Sequence, residues 1–199
     1  IITATSAAGA MAFDIAVDSR VSKRAAELSG AARQPIPSRN LTVTVLPLAP
    51  SERVQSLLAG ESKTAATARQ LAEGQSLVEL SADLEQLLPF SYEVARPLEI
   101  PDEFFSEDRR QYNIDKLLTW MLKQRNPRSF KTIGVLCADV YEPGYNFLFG
   151  LAKLGGPGCV ASTARMGQSL DGAQLSSAER WHLIVRHELG HTLGLTHTE

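Results

Sequence analysis

Three of the chain's four histidines fall in one stretch, His187-Glu188-Leu189-Gly190-His191-Thr192-Leu193-Gly194-Leu195-Thr196-His197. On a helix, His187 and His191 lie one turn apart, so both rings project from one face and can share a tetrahedral ion. Glu188 follows His187 directly and points to one side of that ion, where a carboxylate holds a water as general base instead of binding metal. The next helical turn faces away, so a third ligand requires the chain to turn back. Gly194 can take a positive φ, end the helix and return His197 to the ion. Three protein ligands leave a fourth position open, which separates catalytic zinc from structural zinc. Water in that position is acidified toward a neutral pKa, gives its proton to Glu188 and attacks a carbonyl. His182, five residues before His187, lies off the ligand face and is expected to be a surface or partly buried side chain with an ordinary partner.

The element that carries this site is expected over Ala178 to Leu193. Ser176 and Glu179 form a Ser-x-x-Glu capping box at its start, and Trp181, Ile184, Val185 and Leu189 give it one buried stripe. Upstream, Leu41 to Leu46 alternates as a first strand that Pro47 should stop. A helix begins at Ser51, with Val54, Leu57 and Leu58 on one side. Gly60 to Gln75 is polar and Ala-rich, the most natural place for an insertion, and a short helix from Ser81 ends at Pro89. Ser91 to Ala95 is a second strand. Asp108 to Lys123 places Ile114, Leu117, Leu118, Met121 and Leu122 at helical spacing. Thr132 to Ala138 is apolar enough for a strand buried on both faces. Asn146 to Ala152 and Cys159 to Ala164 follow as two strands joined by the tight Gly155-Gly-Pro-Gly158 turn, hence antiparallel. This order predicts a mixed α/β sheet with the zinc-carrying helix on one face.

The remaining composition bounds the function. A chain of 199 residues, 44% hydrophobic and 21% charged, can form one sizeable core. A net charge of -2 without a basic block disfavours nucleic acid and anionic membrane surfaces as partners. No apolar run approaches a membrane span, and Ile1 to Ala16 shows no signal peptide. Cys137 and Cys159 lie in apolar runs and are expected as buried reduced thiols, so a cytoplasmic location is the expectation. Residues 1–39 read as an N-terminal extension with one amphipathic stretch from Asp18 to Leu28 and a Gln34-Pro-Ile-Pro linker.

His-Glu-x-x-His-x-x-Gly-x-x-His is the signature of the metzincin metallopeptidases. Within that class, Arg110-Gln-Tyr-Asn113, Asp139-Val-Tyr-Glu-Pro-Gly-Tyr-Asn-Phe-Leu-Phe-Gly150 and His187 to His197 resemble the archaemetzincins, a likeness running from about Leu41 to His197. The resemblance implies a zinc metallopeptidase with His187, His191 and His197 on one catalytic ion and Glu188 as base. It also implies a mostly parallel five-stranded sheet with Asn146 to Ala152 as the antiparallel edge strand above the cleft. An extended peptide would add to that edge along Asn146, Phe147, Leu148, Phe149 and Gly150. Cys137 and Cys159 would fall at opposite ends of parallel neighbours, too far apart for a disulfide.

The archaemetzincins continue past the third histidine with cysteines for a second, structural zinc and with a methionine turn. Here Thr198 stands where the first cysteine falls, and Met11, Met121 and Met166 all precede the motif. The expectation is therefore a catalytic domain over 40–199, cut short after the third ligand, with no structural zinc. Two other readings stand beside the peptidase: a metzincin of another branch, and a non-catalytic zinc-binding or peptide-binding module. Glu188 argues against the module, because a structural site has no use for that carboxylate.

Overall fold

A computed structural model of the chain describes residues 41–58, 75–88, 90–166 and 177–196. The N-terminal extension read at 1–39, most of the insertion read at 60–75, Ser176, expected as a cap, and His197, expected as the third ligand, lie outside the described residues.

The main sheet is built on β1 (Thr42–Pro50). On one side of it lie β2 (Ser91–Val94) and β3 (Leu98–Ile100), end to end and both parallel to β1. On the other side come β6 (Lys131–Leu136), β9 (Gly158–Ser162) and finally β8 (Gly150–Ala152). The first two are parallel and β8 is antiparallel. The fold is thus the expected mixed, mostly parallel α/β sheet with an antiparallel edge strand. Its six strands occupy five positions, because β2 and β3 share a flank of β1. A smaller sheet joins β4 (Phe105–Ser106), β5 (Gln111–Asn113) and β7 (Val140–Tyr141).

Alternation along the central strands sorts their residues into two cores. Val43, Val45, Ile133, Val135, Cys159 and Ala161 face helices α2 (Gln75–Leu87) and α4 (Ser177–Thr192). Leu46, Leu48, Leu136 and Val160 face α1 (Glu52–Leu58), α3 (Ile114–Gln124) and the small sheet. Every residue of β6 is buried, the apolar run from Ile133 to Leu136 as well as Lys131 and Thr132. Trp181, Ile184, Val185 and Leu189 of α4 are all buried in the first core, so the expected stripe is the face that docks this helix on the sheet. Among the described residues no helix is long and apolar enough to cross a membrane.

The largest differences from expectation fall at four boundaries. Strand β1 passes through Pro47 instead of stopping there. Val45 O and Leu41 O accept from Ala95 and Ser91 on the β2 side, so odd-numbered residues present their polar groups to that flank. Pro47, which has no N–H to donate, faces the break between β2 and β3. Helix α3 starts at Ile114 and not at Asp108, because Arg110 takes a positive φ of 55° and Gln111–Asn113 pair as β5. Asn113 then caps the helix, accepting from Lys116 N–H at 3.0 Å. Helix α2 begins at Gln75, six residues before Ser81. The edge strand is limited to Gly150–Ala152. Asn146 to Phe149 runs as a loop, drawn toward the small sheet where Leu148 N–H donates to Val140 O and the Leu148 side chain enters the second core.

Neither cysteine forms a disulfide. Cys159 is buried and Cys137, just past the end of β6, is half-buried. Helix α3 lies against β6 at Gly134, where a Cβ would overlap Met121 Sδ and come 2.8 Å from Leu48 Cδ1. Gly134→Ala should therefore overpack this layer and cost about 1–3 kcal/mol in urea unfolding. An unchanged midpoint would show that α3 does not pack against β6 at Gly134.

Candidate metal centre and active site

Helix α4 delivers His187 and Glu188 buried and His191 half-buried. The two histidines meet through Nε2, which face each other at 3.0 Å, with rings nearly perpendicular at 88°. Two imidazole nitrogens on one tetrahedral zinc, each at about 2.0–2.1 Å, would stand about 3.3 Å apart. The pair thus has the spacing of two ligands to a single ion. His191 Nδ1 lies 2.7 Å from Leu195 O, a contact that makes Nδ1 the donor and leaves Nε2 with its lone pair. Burial lowers the His191 pKa, favouring the neutral, ligand form of the ring.

Glu188 is fully buried, and neither carboxyl oxygen accepts a hydrogen bond from a described residue. Desolvation pushes its pKa up to about 8. A buried acid without a donor is costly, and it is found where a ligand or reacting group completes it. The orphaned carboxyl and the converging imidazoles fit a zinc ion with a water beside it. Among the described residues no third His, Cys, Asp or Glu completes a ligand set.

The helix end is built as the sequence suggests. Gly194 has φ +90°, Leu195 N–H donates to Gly190 O, and Gly194 N–H donates to His191 O, the paired bonds of a glycine-terminated helix. This reversal supplies the Leu195 carbonyl that orients His191. His182 is half-buried, with Nδ1 2.6 Å from Asp83 Oδ2, and takes no part in the centre.

The five residues expected along the substrate edge are not alike. Asn146 O accepts from Gln111 Nε2 at 2.9 Å and from Arg109 Nη2 at 3.1 Å. Phe147 lies under the Arg165 guanidinium, 4.0 Å from its ring centre, and edge-on to Phe149. Leu148 is buried, and Phe149 O accepts from Ser162 N–H at 2.8 Å. That last bond sets the ladder phase, so in β8 the N–H and C=O of Gly150 and Ala152 point away from β9. Of the five, Gly150 is the one whose strand backbone faces the open edge. It also reaches the centre directly, since the atoms nearest its missing Cβ belong to Glu188.

Sequence reasoning passed over two supports of the site. Lys131, at the start of β6, is buried and donates from Nζ to Thr192 O and Gly156 O, each at 2.7 Å. Its charge sits at the C-terminal end of α4, where helix carbonyls lack partners. Gly155 N–H, in the same turn as Gly156, donates to His191 O. A lysine opening an otherwise apolar strand was the available signal. The second support is Asp139, whose carboxylate accepts from Arg165 Nε at 2.9 Å and Nη2 at 2.5 Å, from Gln111 Nε2 at 2.8 Å and from Val140 N–H at 3.1 Å. This cluster pins the loop that leads into β8.

Relatives named archaemetzincin share this chain. The one from Haloquadratum walsbyi is 36% identical over 127 residues, which is 61% of this chain and 72% of that protein. The solved archaemetzincin of Methanopyrus kandleri matches with a TM-score of 0.57 at 24% identity, over 82% of this chain and 79% of that one. That of Archaeoglobus fulgidus matches with a TM-score of 0.50 at 25% identity, over 79% and 81%. No protein-family model matches the chain.

Lys131→Met should leave the carbonyls of Thr192 and Gly156 without a donor and lower stability by about 1–3 kcal/mol, read in urea. A midpoint equal to that of wild type would remove Lys131 from the supports of α4.

Proposed function

The chain belongs to the archaemetzincin family, and on that premise we propose that it is a zinc-dependent metallopeptidase with residues 40–199 as its catalytic unit. His187 and His191 hold the ion through Nε2, and His197 is the third ligand. A zinc ion held there supplies Lewis acidity to a peptide carbonyl and to the attacking water. Glu188 is the general base, taking the proton of that water as it attacks and returning it to the departing amine nitrogen. Its burial keeps competing donors among the described residues away from the carboxyl, leaving both oxygens for that water.

The substrate is a peptide in extended form. Its backbone adds to the outward-facing N–H and C=O groups of Gly150 and Ala152, extending the sheet by one strand. The loop Asn146 to Phe149, held by Asp139 and Arg165, borders that strand and is a candidate to touch substrate side chains. The observation that carries the reading is the facing Nε2 pair, 3.0 Å apart, on a helix whose intervening carboxyl has no protein donor among the described residues.

Zinc bound after exhaustive dialysis should amount to about one ion per chain, by elemental analysis, and be lost in His191→Ala. Glu188→Ala should keep its zinc while kcat on a quenched-fluorescent peptide falls by about 10²–10⁴-fold. Hydrolysis at the wild-type rate in that variant would sink the mechanism. Zinc bound without hydrolysis in the wild-type chain would leave the non-catalytic binding module in its place.

A further inference from the structure

Gly150 opens β8 with an ordinary strand backbone. The glycines with positive φ among the described residues are Gly144, Gly155 and Gly194, so conformation does not demand glycine at 150. Space does. A Cβ at this position would lie 2.6 Å from Glu188 Cγ, 2.8 Å from Oε1 and 2.9 Å from Cδ. Carbon atoms in contact stand about 3.5–4.0 Å apart, so a methyl group there requires the Glu188 side chain to move by about 1 Å. All three of the nearest atoms belong to that one residue. At Gly134, by contrast, the close neighbours are core side chains, and at Gly158 the nearest is the backbone oxygen of Thr132.

The geometry points to Gly150 as a positioning residue for the base: its missing Cβ is the slot that holds the Glu188 carboxyl against the strand whose outer edge receives the peptide. Glu188 is fully buried, so a displaced side chain would have to press on its other neighbours. The carboxyl and the edge strand are therefore in direct contact, and their separation sets where a water at Glu188 stands relative to a peptide laid along Gly150. A carboxyl displaced by about 1 Å would lose the alignment on which proton transfer depends, at a cost of about 10²-fold in rate. The inference rests on the peptidase reading for its kinetic consequence and on packing alone for the slot.

The test is a double-mutant cycle of wild type, Gly150→Ala, Glu188→Ala and the double variant, with zinc content, urea midpoint, and kcat and KM on a quenched-fluorescent peptide as readouts. Gly150→Ala should keep its zinc, lower the midpoint, and cut kcat by about 10²-fold with KM within about twofold of wild type. In the Glu188→Ala background the same substitution should leave the midpoint unchanged, because the atoms it would meet are gone. An equal loss of midpoint in both backgrounds, or a Gly150→Ala enzyme with wild-type kcat, would overturn the proposal. Should Gly150→Ala fail to fold, recovery of folding in the double variant supports the slot and failure of the double variant overturns it. If the wild-type protein cleaves no peptide, the peptidase reading fails while the midpoint cycle still decides the slot.

Discussion

Helix α4 presses a carboxyl into the edge of a β-sheet with no described side chain or backbone N–H to receive it, and much of the surrounding structure serves to hold that contact. Burying an unpaired acid disfavours folding by several kcal/mol unless the group stays neutral or a ligand completes it. The helix must therefore be anchored by other means. Trp181, Val185 and Leu189 bury one stripe in the core that β6 and β9 line with Ile133, Cys159 and Ala161, the apolar contact that fixes the rotation of α4 about its axis. With the rotation fixed, His187 and His191 converge and Glu188 meets Gly150.

Translation along the axis is fixed separately, at the helix end. Lys131 Nζ, Gly155 N–H and the reversal at Gly194 together engage the carbonyls of Gly190, His191 and Thr192. Two of these groups come from elsewhere in the sheet, so the end of α4 is stitched to the start of β6 and to the β8–β9 turn. The same turn sets where β8 begins its antiparallel run. His187, His191, Glu188 and the edge of β8 are thus located by these two sets of contacts together.

The site was legible in the sequence to the extent that its chemistry is local. A four-residue separation places two histidines on one helical face whatever the fold, and Gly194 declared its positive φ by being the residue that tolerates it. Periodicity marked the main strands and helices but not β3 or the small β4-β5-β7 sheet, and the separation of Cys137 from Cys159 followed from the topology that the family resemblance implies. What the residues did not declare depends on contacts made across long stretches of chain. Pro47 reads as a strand breaker until β2 and β3 are seen to leave a gap beside it. Asn146 to Ala152 reads as one strand until Leu148 is seen bonded to Val140. Lys131 carries no pattern of its own, and its role follows only from the end of α4 lying over it. Gly150 was legible as part of the substrate edge, but its contact with Glu188 depends on how α4 packs.

In the proposed function zinc is held through imidazole nitrogen on α4, with no thiolate in the shell. X-ray absorption at the zinc edge of the loaded protein reads that shell. Imidazole ligation gives a first shell of nitrogen and oxygen only, at about 2.0–2.1 Å, with the outer-shell scattering of imidazole rings. A sulfur shell at about 2.3 Å would place the ion at Cys137 or Cys159 instead and would contradict it.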